Sequence, residues 1–204
     1  MNRRDVIHEF PQQLAPLAAL GGCFLLGGAL GACLGGLMSE ECARELADYL
    51  TAYLTLARDG GIPVEFWGVA WEQFRFFLGV SLLGLTALGV AGIPVLFGVR
   101  GFLFSFSIAG LCRVFGTMGL VPGLFLFGLP GFLWAPVLFL AGAQSMSSAW
   151  VLLRRLLLES REPLPFNPSY WGRLGLYAAA LMVCVMLEYL AAPVLMAAAA
   201  KLVL

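Results

Sequence analysis

Charge is scarce in this sequence. Only 12% of its 204 residues are Asp, Glu, Lys or Arg, acids and bases balance at twelve each, and histidine occurs once, as His8. A balanced charge offers no basic surface to nucleic acid, so no nucleic-acid partner is expected. The lone histidine has no partner motif, and HExxH, P-loop, GxSxG and a usefully spaced Ser–Lys pair are all missing. No catalytic set can be assembled; the expectation is a non-enzymatic protein without a cofactor. Also missing are a polar linker, a low-complexity segment and a charged tail, which leaves one domain over residues 1–204. The five cysteines (Cys23, Cys33, Cys42, Cys112, Cys184) show neither a disulfide framework nor CxxC metal spacing. Four of them lie in apolar stretches, where cysteine packs as a small hydrophobe.

What is abundant is apolar surface. Hydrophobic residues make up 61% of the chain, and the mean hydropathy is +0.91. That composition belongs to an all-α integral membrane protein bound to lipid. At about 20 apolar residues per crossing, five spans are expected near 15–38, 74–92, 94–116, 120–150 and 174–198. Leu30-Gly31-Ala32-Cys33 has the form of a lipoprotein cleavage site, but Asp5 and Glu9 spoil a purely basic leader, and the segment is expected to remain as a span. The fourth span carries Pro122, Pro130 and Pro136 with Gly123, Gly128 and Gly131. A helix so interrupted is expected to be broken or partly re-entrant.

Orientation follows from the loops. Arg3 and Arg4 precede the first span, and Arg154, Arg155 and Arg161 follow the fourth, whereas segment 39–73 is rich in Asp and Glu. The positive-inside rule then puts the N-terminus in the cytoplasm and segment 39–73 outside, with the C-terminus outside after five spans. Lys201 opposes this weakly.

Segment 39–73 reads as an amphipathic outer hairpin. Ser39 is a good N-cap, Glu40 and Glu41 suit a first turn, and Cys42, Leu46, Tyr49, Leu50, Tyr53 and Ala57 recur at helical spacing. Gly60-Gly61 and Pro63 end that helix, and a second short piece brings Trp67 and Trp71 to the membrane interface. Its apolar face, with Leu46, Tyr49, Tyr53, Trp67 and Trp71, lies on the membrane or on a partner protein, or else packs against the chain's own spans.

Within the first span, GGCFLLGGALGACLGG places seven glycines in sixteen positions. Glycine weakens helices in water by close to 1 kcal/mol against alanine. In lipid it has a use: small residues four apart let backbones approach closely, and packing replaces the missing hydrophobic drive. Gly27, Gly31 and Gly35 form one ridge, with Gly28, Ala32 and Gly36 beside it. The gripping helix is a neighbour in the chain or a second copy in a homo-oligomer.

Three ionisable residues fall at membrane depth: Arg100, Arg113 and Glu188. The two arginines are about 20 Å apart along a helix, too little to span about 30 Å of hydrocarbon, so one is expected to face the protein interior. Arg100-Gly101 can also mark the cytoplasmic end of the third span. Glu188 lies about 22 Å beyond Arg173, in the outer part of the fifth span. It is either a proton or ion site or a structural partner of a buried arginine or of backbone donors.

Taken in order, these segments resemble the stage II sporulation protein M family of spore-forming bacteria over nearly the whole length. The residues concerned are LGACLGGLM, the acidic SEECARELADYLTAYL, the turn at Gly92, Ile93 and Pro94 followed by Arg100 and Gly101, Leu129-Pro130, the Arg154-Arg155 pair and LEYLAAPVLM. Many members carry polar residues after that Leu-Pro, where this chain has Gly131, Phe132, Leu133 and Trp134. The resemblance implies a membrane scaffold acting in engulfment of the forespore, where family members hold together two peptidoglycan-degrading partners, the stage II sporulation proteins D and P. The alternative is a membrane subunit of a small-solute transporter or exporter, favoured by the broken fourth span and the intramembrane charges.

Overall fold

A computed structural model describes residues 3–58, 66–158 and 164–203, and all regular structure among them is helical. Helix α1 is Arg3–Gly36, α2 Glu40–Arg58, α3 Phe66–Gly84 and α4 Gly89–Phe115. A 3₁₀ turn (Gly116–Gly119), the single turn α5 (Leu120–Gly123) and a π turn (Leu124–Gly128) lead into α6 (Leu129–Leu158), and α7 is Pro168–Val203. Four stretches are long and apolar enough to cross a membrane: Leu14–Gly36, Gly89–Phe115, Leu129–Leu157 and Pro168–Leu195. The chain is thus an all-helical, multi-pass membrane protein.

The helix ends follow from local chemistry. The Cys42 backbone N–H donates to Ser39 Oγ at 3.4 Å, which caps α2 with Glu40 and Glu41 in its first turn. At the start of α7 the Tyr170 N–H donates to Asn167 Oδ1 at 2.8 Å, and Pro168, which has no N–H to satisfy, takes the first helical position. Gly116 ends α4 at φ 63° and ψ −149°, a conformation that side chains resist. The Leu129 N–H reaches back five residues to Leu124 O, so the π turn delivers the chain into α6 just before Pro130, which cannot donate.

Several expected boundaries move. Residues 74–92 are not one helix: α3 already starts at Phe66, and the chain turns at Leu85–Leu88 through short-range bonds such as Leu85 N–H to Leu82 O (3.1 Å) and Thr86 N–H to Leu83 O (3.0 Å). Gly92, Pro94 and Gly101 therefore do not form a turn. They lie inside α4, where Pro94 sits in the helix and Gly92 packs on Leu83. The second arm of the expected hairpin is likewise the first part of α3, so segment 39–73 contributes one amphipathic helix rather than two. The break at Gly60–Pro63 and Arg161 lie outside the described residues. The fourth stretch is interrupted only at its start, by the turns over 116–128; from Leu129 it runs on to Leu158 with Pro136 inside.

Pairings between helices fix their relative directions. Gly27 faces Gly98, Gly31 faces Phe102, and Gly35 faces Phe106 and Ala109. The numbers rise together, so α1 and α4 run parallel. Phe97 meets Gly142 while Phe104 meets Gly131, which makes α6 antiparallel to α4. Cys184 Sγ donates to Leu133 O at 3.4 Å and Gln144 Nε2 to Tyr170 O at 3.1 Å, which makes α7 antiparallel to α6. Leu20, Phe77, Val80, Ile93, Phe97, Leu138, Ala141 and Leu181 fill the centre where α1, α3, α4, α6 and α7 meet. Helix α2 lies across the C-terminal part of α4 and against α7.

Candidate functional site

One face of α3 repeats Ala70, Gln73, Phe77, Val80 and Gly84 at spacings of three and four, and all five are buried. Gln73 is the polar member of that apolar stripe, with 3% of its surface exposed. Its Oε1 accepts from Arg100 Nη2 at 3.0 Å, and its Nε2 donates to Glu188 Oε2 at 3.2 Å. A neutral amide thus joins a guanidinium on α4 to a carboxylate on α7. The Arg100 guanidinium lies 4.3 Å from the centre of the Trp134 ring on α6 and 5.6 Å from that of Phe76. Ring faces are negative and stabilise a cation that has left water. Arg100 is eleven residues into α4, about 17 Å from its start, so the cluster sits near mid-membrane and engages four helices.

Arg100 therefore faces the protein interior and does not mark the end of a span. Arg113 is exposed, and its Nε–H donates to Met38 O in the α1–α2 link at 3.4 Å. It does not pair with Glu188. A shallow groove beside it is lined by Glu40, Ala43, Arg44, Ala47, Arg113 and Val114. The Arg44–Glu40 pair at 3.5 Å is solvent-exposed and contributes little.

The glycine ridge of α1 rests on α4. A Cβ on Gly27 would fall on the Gly98 carbonyl and one on Gly31 on the Phe102 carbonyl, while one on Gly35 would sit 2.7 Å from Ala109 Cβ. Gly28 lies opposite Ser105, and Gly101 of α4 fits against the Phe24 carbonyl. Gly36 faces open space and takes no part in the packing, because one residue beyond Gly35 the helix surface has turned about 100° away from α4. The matching ladder on α4, Gly98, Gly101, Ser105 and Ala109, was the signal in the sequence for this partner.

On α2, Leu46 packs against Gly110 of α4 and so faces its own chain, whereas Tyr49 is exposed. The Tyr53 side chain lies outside the described residues. Trp67 and Trp71 project outward from the first turns of α3, 76% and 62% exposed.

A second polar cluster escaped the sequence reading although AQSMSSA interrupts an apolar span. Gln144, Ser145 and Ser148 on α6 and Tyr170 on α7 are all buried. Among the described residues no three or more of His, Cys, Asp and Glu gather closely enough to hold a metal ion. Comparison with family models, with curated proteins and with solved structures gives no match.

Proposed function

We propose that the chain is a non-enzymatic membrane scaffold of the kind its sequence resembles, holding peptidoglycan-degrading partners at the mother-cell membrane during engulfment. The observation that carries the reading is the use made of the intramembrane charges. Arg100 and Glu188 are joined through Gln73 and covered by Trp134, so they fasten α3, α4, α6 and α7 to one another. Meanwhile α2 presents Glu41, Glu45, Asp48 and Tyr49 outward on a helix seated across the bundle. A rigid bundle carrying one exposed amphipathic helix suits a protein that positions others.

Five crossings, with the N-terminus in the cytoplasm and the C-terminus outside, fit the pairing of α1 with α4. Parallel spans enter from the same side, so the chain between them must cross once more. Helix α3 has 19 residues, about 28 Å and close to the hydrocarbon thickness, whereas α2 is too polar to do so. On this topology α2 lies outside and Arg154 and Arg155 lie inside.

Purification in mild detergent from sporulating cells should bring down stage II sporulation proteins D and P. Their absence, with solute uptake by the reconstituted protein, would instead support the transporter reading, which the buried polar groups between α6 and α7 favour.

A further inference from the structure

Three polar atoms between α6 and α7 have no hydrogen-bond partner among the described residues: Gln144 Oε1, Ser145 Oγ and the Tyr170 hydroxyl. The residues that carry them are 6%, 0% and 4% exposed. Gln144 is held by its other end, since Nε2 donates to Tyr170 O at 3.1 Å. The Tyr170 hydroxyl lies near Ser145 and Ser148 without a well-formed bond to either. Ser148 Oγ donates to Gln144 O at 3.1 Å, so its proton is already used. Orphaned buried groups of this kind cost about 1–3 kcal/mol each, and three together point to a ligand.

The surroundings define its chemistry. The niche is tight, because Gly84 of α3 abuts Ser145 and Gly89 of α4 abuts Ala149. It holds an amide oxygen that only accepts and hydroxyls that both donate and accept, with no formal charge. A cation there would lack a counter-charge at membrane depth. A small neutral molecule that donates twice and accepts twice meets all three atoms. We infer that Gln144, Ser145 and Tyr170 form a buried water-binding site that ties α6 to the first turn of α7.

The site is filled from one side. Ser148 is six residues before Arg154, about 9 Å along α6, and Tyr170 is in the first turn of α7. Toward the Arg100 cluster, by contrast, Phe77, Val80, Leu138, Ala141 and Leu181 form an apolar layer. Trp134 and Gln144 are ten residues apart, about 15 Å of α6. That apolar layer stands between water in the niche and the level of Arg100 and Glu188.

Radiolytic hydroxyl footprinting of the full chain in nanodiscs tests this, because radicals formed from a bound water modify the side chain beside it. After brief transfer into oxygen-18 water, Tyr170 should be modified several-fold faster than Phe97, which is 2% exposed in the apolar core, and should carry the heavy isotope. Equal rates at Tyr170 and Phe97 would overturn the proposal. Ser145→Val fills the niche and should lower Tyr170 modification to the Phe97 rate. Persistent modification in a folded Ser145→Val chain would assign the label to another source and also overturn it. If that variant does not fold, the comparison of Tyr170 with Phe97 in the native chain decides alone.

Discussion

Gln73 accepts a 3.0 Å hydrogen bond from Arg100 and passes the connection to Glu188 through the other end of the same amide. Gln73→Leu keeps the apolar stripe of α3 continuous but removes both bonds. The loss should be about 1–3 kcal/mol, the cost of buried polar groups left unmade, read as a lower unfolding temperature in detergent. Glu188→Gln retains an acceptor for Gln73 Nε2 and should stay near native stability, while Glu188→Leu should behave like Gln73→Leu. The same pair separates the two functions. A scaffold keeps its partners in Glu188→Gln, whereas a transporter loses proton- or ion-driven uptake while remaining folded.

The contact of Arg100 with Trp134 depends on a flat cation. Lysine at this position keeps the charge but presents a compact ammonium, with neither the planar face nor the forked donors. Arg100→Lys should cost about 0.5–2 kcal/mol through the ring contact. In the Trp134→Leu background that increment should shrink, and a double-mutant cycle on unfolding free energy measures the difference. A coupling of zero would remove the ring from the account.

Close approach of α1 and α4 gives a positional prediction. Gly31→Ala adds one methyl where the Phe102 carbonyl already lies, and overpacking of this kind costs about 1–3 kcal/mol. Gly22→Leu and Gly36→Leu add far more bulk where nothing stands within 4 Å, and should leave stability unchanged. Because the ridge is occupied within the chain, Gly31→Ala should act on thermal stability and not on self-association. The reverse pattern, with association lost and stability kept, would place a second copy on the ridge.

These positions also show what was legible beforehand. The class of the protein, the cap at Ser39 and the glycine ridge follow from composition and spacing, since each depends on neighbours in sequence. The α3–α4 turn was misplaced because its cause is tertiary. Leu85–Leu88 carries no proline or charge, and the turn falls where a side chain in place of Gly89 would strike the Leu83 carbonyl and Ala149 of α6. Gly92-Ile93-Pro94 looked like the break, yet a membrane helix tolerates proline when neighbours cover the freed carbonyl. The sequence left open which arginine Glu188 would face; the fold puts Arg113 at the end of α4 and brings Arg100 to Glu188 through Gln73. The actual intermediary, Gln73, is uncharged and drew no notice, although a glutamine on the buried stripe of α3 was visible at helical spacing.

The parallel packing of α1 and α4 leads to the most direct test. If both cross the membrane in the same sense, Cys42 on α2 and Thr86 in the α3–α4 turn must lie on opposite sides, because α3 is the one crossing between them. In a chain whose other cysteines are replaced by alanine, Cys42 is exposed and should react with an impermeant thiol reagent in intact protoplasts. With Cys42 also replaced, Thr86→Cys should react only after permeabilisation. Reaction at 86 from outside, with 42 also outside, would place α3 on one face of the membrane. Helices α1 and α4 would then have to cross in opposite senses, which the facing of Gly27 with Gly98 and of Gly31 with Phe102 forbids. Such a result would sink the five-span topology and the α1–α4 packing together. Protection of 42 with reaction at 86 would instead keep the packing and invert the whole molecule, placing the acidic helix in the cytoplasm and removing the case for partners at the wall.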